Sequence, residues 1–238
     1  MKRLALLLLL ALSARAQDAV VVGANADHLR DGEGGGASVL WIRSRDTTTL
    51  TAGGAFFSLP STGWAYATLG GSLRVRPRTI VSAEANLGRG DDARGGFGYL
   101  LLRGGVTQEL LAKRLYGEAE WLQADVARRQ NGIARIGATF LPIAPLTLRT
   151  SAYQSVAGDD DTTLVTMRGD YDLGRMIAIA GFSAGHAAPV LLQRVDSDET
   201  RVREVFGGVT ISGFTIIATA GDDRQRLSIS WRMPMGDR

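Results

Sequence analysis

The sequence predicts an all-β chain, a single antiparallel transmembrane β-barrel of about fourteen strands. Three observations predict it. Apolar and polar residues alternate almost without a break. Ala65, Ala67, Leu69, Gly71, Leu73 and Val75 fall on one side of a ribbon, and Trp64, Tyr66, Thr68, Ser72, Arg74 and Arg76 on the other. A period of two belongs to a strand with one apolar and one polar face. The alternating part follows an apolar leader with the pattern of an export signal. Its apolar face is rich in Ala and Gly, which pack a dry protein interior poorly but tolerate lipid.

The leader is Met1 to Ala16. Lys2 and Arg3 are its positive start, Leu4 to Leu12 its apolar stretch, and Ala14-Arg15-Ala16 a small-x-small cleavage site before Gln17. Nine apolar residues are too few for a spanning helix, which needs roughly 20. The expected organisation is therefore a signal peptide over 1–16 and one outer-membrane barrel over 17–238.

Composition narrows the class. Cysteine is absent, which excludes a disulfide framework, a lipid-modified Cys and a thiolate metal site. Thirty glycines against six prolines fit a one-domain β protein with many turns. The small basic excess is almost entirely arginine, with Lys2 and Lys113 the only lysines. It is spread along an exported chain rather than gathered on one face, so a nucleic-acid partner is discarded.

In order, the strands are expected at 19–29, 36–45, 48–58, 63–76, 78–89, 96–110, 113–126, 131–141, 145–156, 162–173, 175–184, 202–211, 214–220 and 225–234. Fusing the twelfth and thirteenth, or dropping the first, gives the alternative of 12 strands. The odd-numbered connections read as long, Gly-rich and acidic: Asp31-Gly-Glu-Gly-Gly, Gly88 to Gly96, Gly158-Asp-Asp-Asp, the 187–200 region and Gly221-Asp-Asp-Arg. The even-numbered ones read as tight: Arg76-Pro77-Arg78, Pro142 to Pro145, Leu173-Gly174-Arg175 and Ser212-Gly213. Long outer loops and short periplasmic turns are the asymmetry of an outer-membrane barrel.

The lipid-facing sets are expected to be Val81, Ala83, Ala85 and Leu87; Leu100, Leu102 and Val106; Ile136, Ala138 and Phe140; Val205, Val209 and Ile211; and Leu227, Ile229 and Trp231. Aromatic belts are expected from Phe56, Trp64, Phe97 and Phe182 outside and from Tyr116, Phe140, Tyr171, Phe214 and Trp231 inside. The competing fold is a secreted soluble β-sandwich binding module, which also alternates but fills its inner face with bulky residues.

On the opposite face the expected lumen lining is Arg43, Arg74, Glu84, Arg103, Glu118, Glu120, Arg135, Arg149, Arg168, Asp170 and Glu204. Ser82, Asn86, Thr107, Thr139, Ser151, Tyr153, Thr166 and Thr210 accompany them. Charged rings of this kind select solutes by sign and size in a water-filled pore. The alternative is a lumen laced shut by Arg–carboxylate pairs.

Catalysis has little support. The two histidines, His28 and His186, fall at outer strand ends, and Ser183 lies three residues before His186, with Asp196, Asp198, Glu199 and Glu204 following. An offset of three puts Ser183 and His186 on opposite faces of a strand, and no Gly-x-Ser-x-Gly elbow is present. An outer-membrane hydrolase is thus the weakest reading, and no catalytic residue is assigned. Asp91-Asp92, Asp159-Asp160-Asp161 and Asp222-Asp223 lack calcium-loop spacing and read as solvated tips. No metal and no cofactor is expected.

Signal, alternating strands and connections together resemble the bacterial outer-membrane β-barrel proteins. Within that class, Leu148 to Thr163 with the following strand to Asp172-Leu-Gly is similar to the YaiO family, which brings no established activity with it. The resemblance implies outer-membrane location, lipid and lipopolysaccharide as surroundings, and assembly by the barrel-assembly machinery. One departure stands out: Trp231 is followed by Arg-Met-Pro-Met-Gly-Asp-Arg, where such barrels usually end on an aromatic residue. The expected function is a non-enzymatic outer-membrane barrel, a small-solute pore with an Arg/Glu lumen.

Overall fold

The computed structural model describes residues 17–30, 32–193, 201–222 and 224–235. The signal-peptide reading of 1–16 and the acidic residues Asp196, Asp198 and Glu199 lie outside them. The strands are β1 Gln17–Leu29, β2 Gly32–Arg45, β3 Thr48–Leu59, β4 Thr62–Arg76, β5 Thr79–Asp92, β6 Gly95–Leu111 and β7 Leu115–Val126. They continue as β8 Arg129–Ile143, β9 Leu146–Gly158, β10 Thr163–Asp172, β11 Met176–His186, β12 Arg201–Ile211, β13 Phe214–Gly221 and β14 Arg224–Met235.

Each strand pairs antiparallel with its sequence neighbours, and β1 pairs with β14 from Asp18↔Met235 to Leu29↔Arg224, closing the barrel. One closed sheet replaces the soluble two-sheet alternative, and fourteen separate strands replace the count of 12. Closure satisfies every strand edge, which is what lets strands exist in hydrocarbon.

Along the strands a continuous apolar side points outward. Leu69, Ile136 and Val205 are 70%, 66% and 62% exposed, and Leu87, Leu102, Leu227 and Ile229 share that side. A water-soluble monomer rarely shows so large a contiguous apolar surface. Lipid is the solvent that makes it favourable.

The loop asymmetry is a correction. The Gly-rich stretches at 32–36 and 88–92 are not loops but strand, so β1–β2, β3–β4, β5–β6 and β7–β8 are joined by turns as tight as those at the other rim. Inward-facing rings explain why. Tyr66, Gly88 and Tyr99 are in register, and the two tyrosines stack over the glycine with centroids 4.9 Å apart. A Cβ on Gly88 would sit 2.0 Å from the Ala65 carbonyl oxygen and 2.7 Å from the Tyr66 Cβ. Glycine in a strand often marks such a close approach.

The belt expectation also needs correction. Trp64 and Phe97 are buried inside the barrel, and Tyr116 shares the inward parity of Glu118 and Glu120. Phe56, Phe182, Phe140, Tyr171, Phe214 and Trp231 are exposed, and Phe214 stacks on Trp231 at 4.9 Å.

Candidate channel lumen and its plug

The lumen has two unlike halves. Toward the rim formed by the turns after β1, β3, β5 and β7, the inward residues are apolar and buried: Phe57, Leu59, Trp64, Phe97, Leu122, Val126 and Ile133 form one cluster. Leu164 and Val202 complete it on the far wall. Toward the other rim the inward side mixes aliphatic residues such as Leu40, Ile80 and Ile217 with polar ones, of which Ser38, Ser82, Arg103 and Arg149 are exposed. The inward face is therefore packed and apolar near one rim and more polar and exposed below it.

Against this apolar end packs part of the connection between β11 and β12. Its residues 187–193 turn into the barrel through a 3₁₀ turn, Pro189–Leu192. Ala187 and Ala188 are fully buried, Val190 and Leu191 pack on the apolar cluster, and Leu191 and Leu192 also meet Leu164 and Val202. Sequence reading placed this segment in an outer loop. Its apolar run Ala187-Ala-Pro-Val-Leu-Leu192 was the available signal, since a solvated loop has no use for one.

Two polar anchors hold this plug. At its start the Ala188 N–H donates to Thr162 Oγ1 at 2.9 Å. Behind Thr162, Asp160 accepts from Arg129 Nη1 at 2.6 Å and from Asn131 Nδ2 at 2.9 Å, so this aspartate is a buried strut rather than a solvated tip. At the plug's end Arg224 Nη1 donates to the Leu192 carbonyl at 2.7 Å, and Arg226 Nη1 to Gln193 Oε1 at 2.7 Å. Both guanidiniums also donate through Nε to Asp27 Oδ1 at 2.7 Å.

Of the residues expected to line the lumen, Arg74, Glu84, Arg103, Glu118, Glu120, Arg135, Arg149, Arg168, Asp170 and Glu204 lie at inward positions. Arg43 does not. It is in register with Leu50, which is exposed on the outer surface, and with Asp18. β2 carries Gly34-Gly-Gly36 and Ser38, too uniform a stretch for its parity to be read from hydropathy.

The charges form three groups. Arg135 donates from Nη2 to Glu118 at 2.9 Å, lies 3.0 Å from Glu120 through Nη1, and reaches Ser151 from Nε at 3.0 Å. Its guanidinium also stands 5.7 Å from the Tyr153 ring centroid. Arg149 and Arg168 share Asp170 at 2.8 and 2.7 Å. Asp27 holds Arg224 and Arg226 as described. Residues Asp27, Arg224, Arg226 and Asn131 were not singled out from the sequence, because their roles depend on a plug whose position only the fold shows.

Beneath the plug lies a chamber of ≈ 420 Å³. Leu122, Leu164, Leu191, Leu192 and Val202 form its apolar roof, and Arg103, Glu120, Arg135, Thr166, Ser183 and Glu204 its polar wall. At the outer rim, Arg128 Nη1 donates to Asp92 at 2.8 Å, and its Nη2 to the Gly95 carbonyl at 3.0 Å, clasping two adjacent hairpins. That hydrogen bond, helped by the Arg94 backbone N–H, holds the Asp92 carboxyl below the usual carboxylate range. Ser183 faces inward in register with Thr166, while His186, with Thr163, faces outward, so the two do not meet.

No family model matches the chain, and no curated protein does. Solved structures do. CymD, a monoaromatic hydrocarbon channel, is 9% identical with a TM-score of 0.71, covering 94% of this chain and 90% of its own. The chain has the fold of an outer-membrane β-barrel. The Acinetobacter baumannii outer-membrane protein Omp33 matches at 11% identity and a TM-score of 0.59, over 92% of this chain and 98% of that one. A bacterial polysaccharide outer-membrane secretin matches at 10% identity and 0.58, over 94% and 100%.

Proposed function

We propose that this chain is a gated, non-enzymatic channel of the bacterial outer membrane, in which residues 187–193 close the outer mouth above a charged, water-filled lumen. The observation that carries the reading is the plug itself. An apolar segment is seated inside a barrel whose lower lumen remains wet, and both its ends are held by hydrogen bonds that can be exchanged for water. A purely structural barrel needs no separate stopper, and fourteen strands enclose more space than wall side chains alone fill. The likeness to CymD and the stacked Phe57, Trp64, Tyr66 and Tyr99 near the mouth support small, partly apolar solutes. The similarity of the 148–172 segment to the YaiO family adds no activity to this reading. Membrane lipid, lipopolysaccharide and the barrel-assembly machinery are the surroundings and partner that an apolar outer band calls for.

The test is planar-bilayer recording of the folded, detergent-purified barrel. The wild type is expected to be nearly silent, and a variant with residues 188–193 replaced by a Gly/Ser linker to conduct steadily. A linker variant that folds, as shown by heat-modifiable gel mobility, yet carries no current would leave a sealed structural barrel instead.

A further inference from the structure

We propose that the chamber under the plug is a binding site for small organic monocarboxylates, with an apolar body of single-ring size under Leu191 and Leu192 and the carboxylate on Arg103. This rests on the channel reading and names its solute class.

The chamber is divided by polarity. Its roof is five aliphatic side chains, two of them from the plug, and its wall carries two arginines, two glutamates, Thr166 and Ser183. Its ≈ 420 Å³ falls within the range of about 300–1000 Å³ typical of small-molecule sites. An occupant must therefore be amphiphilic, with one apolar end and one polar end. A fully apolar guest would strand the wall charges, and a fully polar one would desolvate against the roof.

The sign of the polar end follows from which wall charges are already engaged. Arg135 is engaged through all three nitrogens, by Glu118, Glu120 and Ser151, so Glu120 is committed as well. Glu204 has a partner of its own. Arg103 makes no hydrogen bond or ion pair to a described residue, although Glu84 stands opposite it in register on β5 and Leu122 on β7. Its fork of donors is exposed to the lumen, where a planar carboxylate matches it in two parallel hydrogen bonds. Thr166 and Ser183, in register on β10 and β11, add hydroxyls on the opposite wall. Tyr153 supplies a flat apolar flank. Because Leu191 and Leu192 of the plug form part of the roof, an occupant touches the gate directly, and binding and opening share those two side chains.

The experiment is calorimetric titration of the folded barrel in detergent with benzoate, benzamide and benzylamine. Benzoate is expected to bind at least tenfold tighter than either analogue. Arg103→Gln should weaken benzoate tenfold or more, while Arg78→Gln, in the exposed turn between β4 and β5, leaves it unchanged. Equal binding of benzoate and benzamide, tighter binding of benzylamine, or an Arg103→Gln barrel that binds like wild type overturns the assignment. Heat-modifiable mobility of each variant separates a lost site from a lost fold. Conductance of the linker variant tests the channel reading independently: current without benzoate binding sinks this inference alone, and no current in that variant sinks the channel.

Discussion

Asp27 and Arg224 stand 197 residues apart in sequence and 2.7 Å apart in the barrel, across the seam where the first and last strands meet. The Asp27 side chain is wholly buried, and it accepts from Arg226 as well. The same two arginines hold the end of the plug at Leu192 and Gln193. One carboxylate thus ties the seam of the barrel to the end of the 187–193 segment.

Asp27→Asn should therefore act on both. Removing one partner of a buried ion pair leaves uncompensated charge and costs about 3–5 kcal/mol. The expected result is a lower temperature for the heat-modifiable gel shift together with current in the bilayer at voltages where wild type is silent. A variant that is less stable but equally silent would show that the seam and the gate are not coupled through this residue.

The outward face gives a sharper test of surroundings. Ile136 is 66% exposed to whatever surrounds the barrel. In water, an arginine there would change stability by no more than about 0.5 kcal/mol. Facing the bilayer midplane it should cost about 2–4 kcal/mol. Refolding into lipid vesicles by urea titration measures the difference, and an unchanged midpoint would contradict a lipid-facing position.

The fold was largely legible because the alternation has only one solvent arrangement that satisfies it. Strand number, neighbour order and most inward residues follow from parity once lipid is taken as the outer solvent. Parity failed where side chains carry no contrast, as at Arg43 beyond the glycine run of β2. Loop length was misread for a related reason. Glycine is depleted from ordinary strands, yet Gly36, Gly88 and Gly90 are strand residues because Phe57, Tyr66 and Phe97 occupy the space their side chains would need. The site was only half legible. Arg135 and its glutamates are adjacent by register, but the Asp27 knot joins residues from opposite ends of the chain, around a segment whose only local signal is the apolar run 187–192.

Gly88→Ala tests that glycine account. The added carbon would lie 2.0 Å from a backbone oxygen and under the Tyr66–Tyr99 stack, so a strand must shift. Overpacking of this kind costs about 1–3 kcal/mol. Gly98→Ala, where nothing lies within 4 Å, is the matched control. Equal urea midpoints for the two variants would refute the steric argument.

At the rim, the Arg128–Asp92 clasp predicts a pH dependence. The folded-state pKa of Asp92 is depressed, so the contribution of the clasp is complete above the unfolded carboxylate value of about 3.9. It is lost as pH falls through the lower folded value. Arg128→Gln should return Asp92 toward the ordinary range in a carboxyl-carbon NMR titration of the folded protein. An Asp92 that already titrates near 3.9 in wild type would remove the clasp.

Charge selectivity provides the last test, and Arg135 is the residue to change. It pairs with both Glu118 and Glu120, which would otherwise face the lumen together at neighbouring inward positions of β7 with no cation between them. Arg135→Gln keeps the hydrogen bond to Ser151 within reach but leaves the wall with two unopposed carboxylates. Made in the plug-replaced barrel, where current is expected, it should shift the reversal potential in a salt gradient toward cation preference, because rings of carboxylates favour cations. Glu118→Gln, which removes an acceptor instead, should move it the other way. If both variants keep the parent's reversal potential, ions do not pass this triad, and the conducting path must run along another part of the wall.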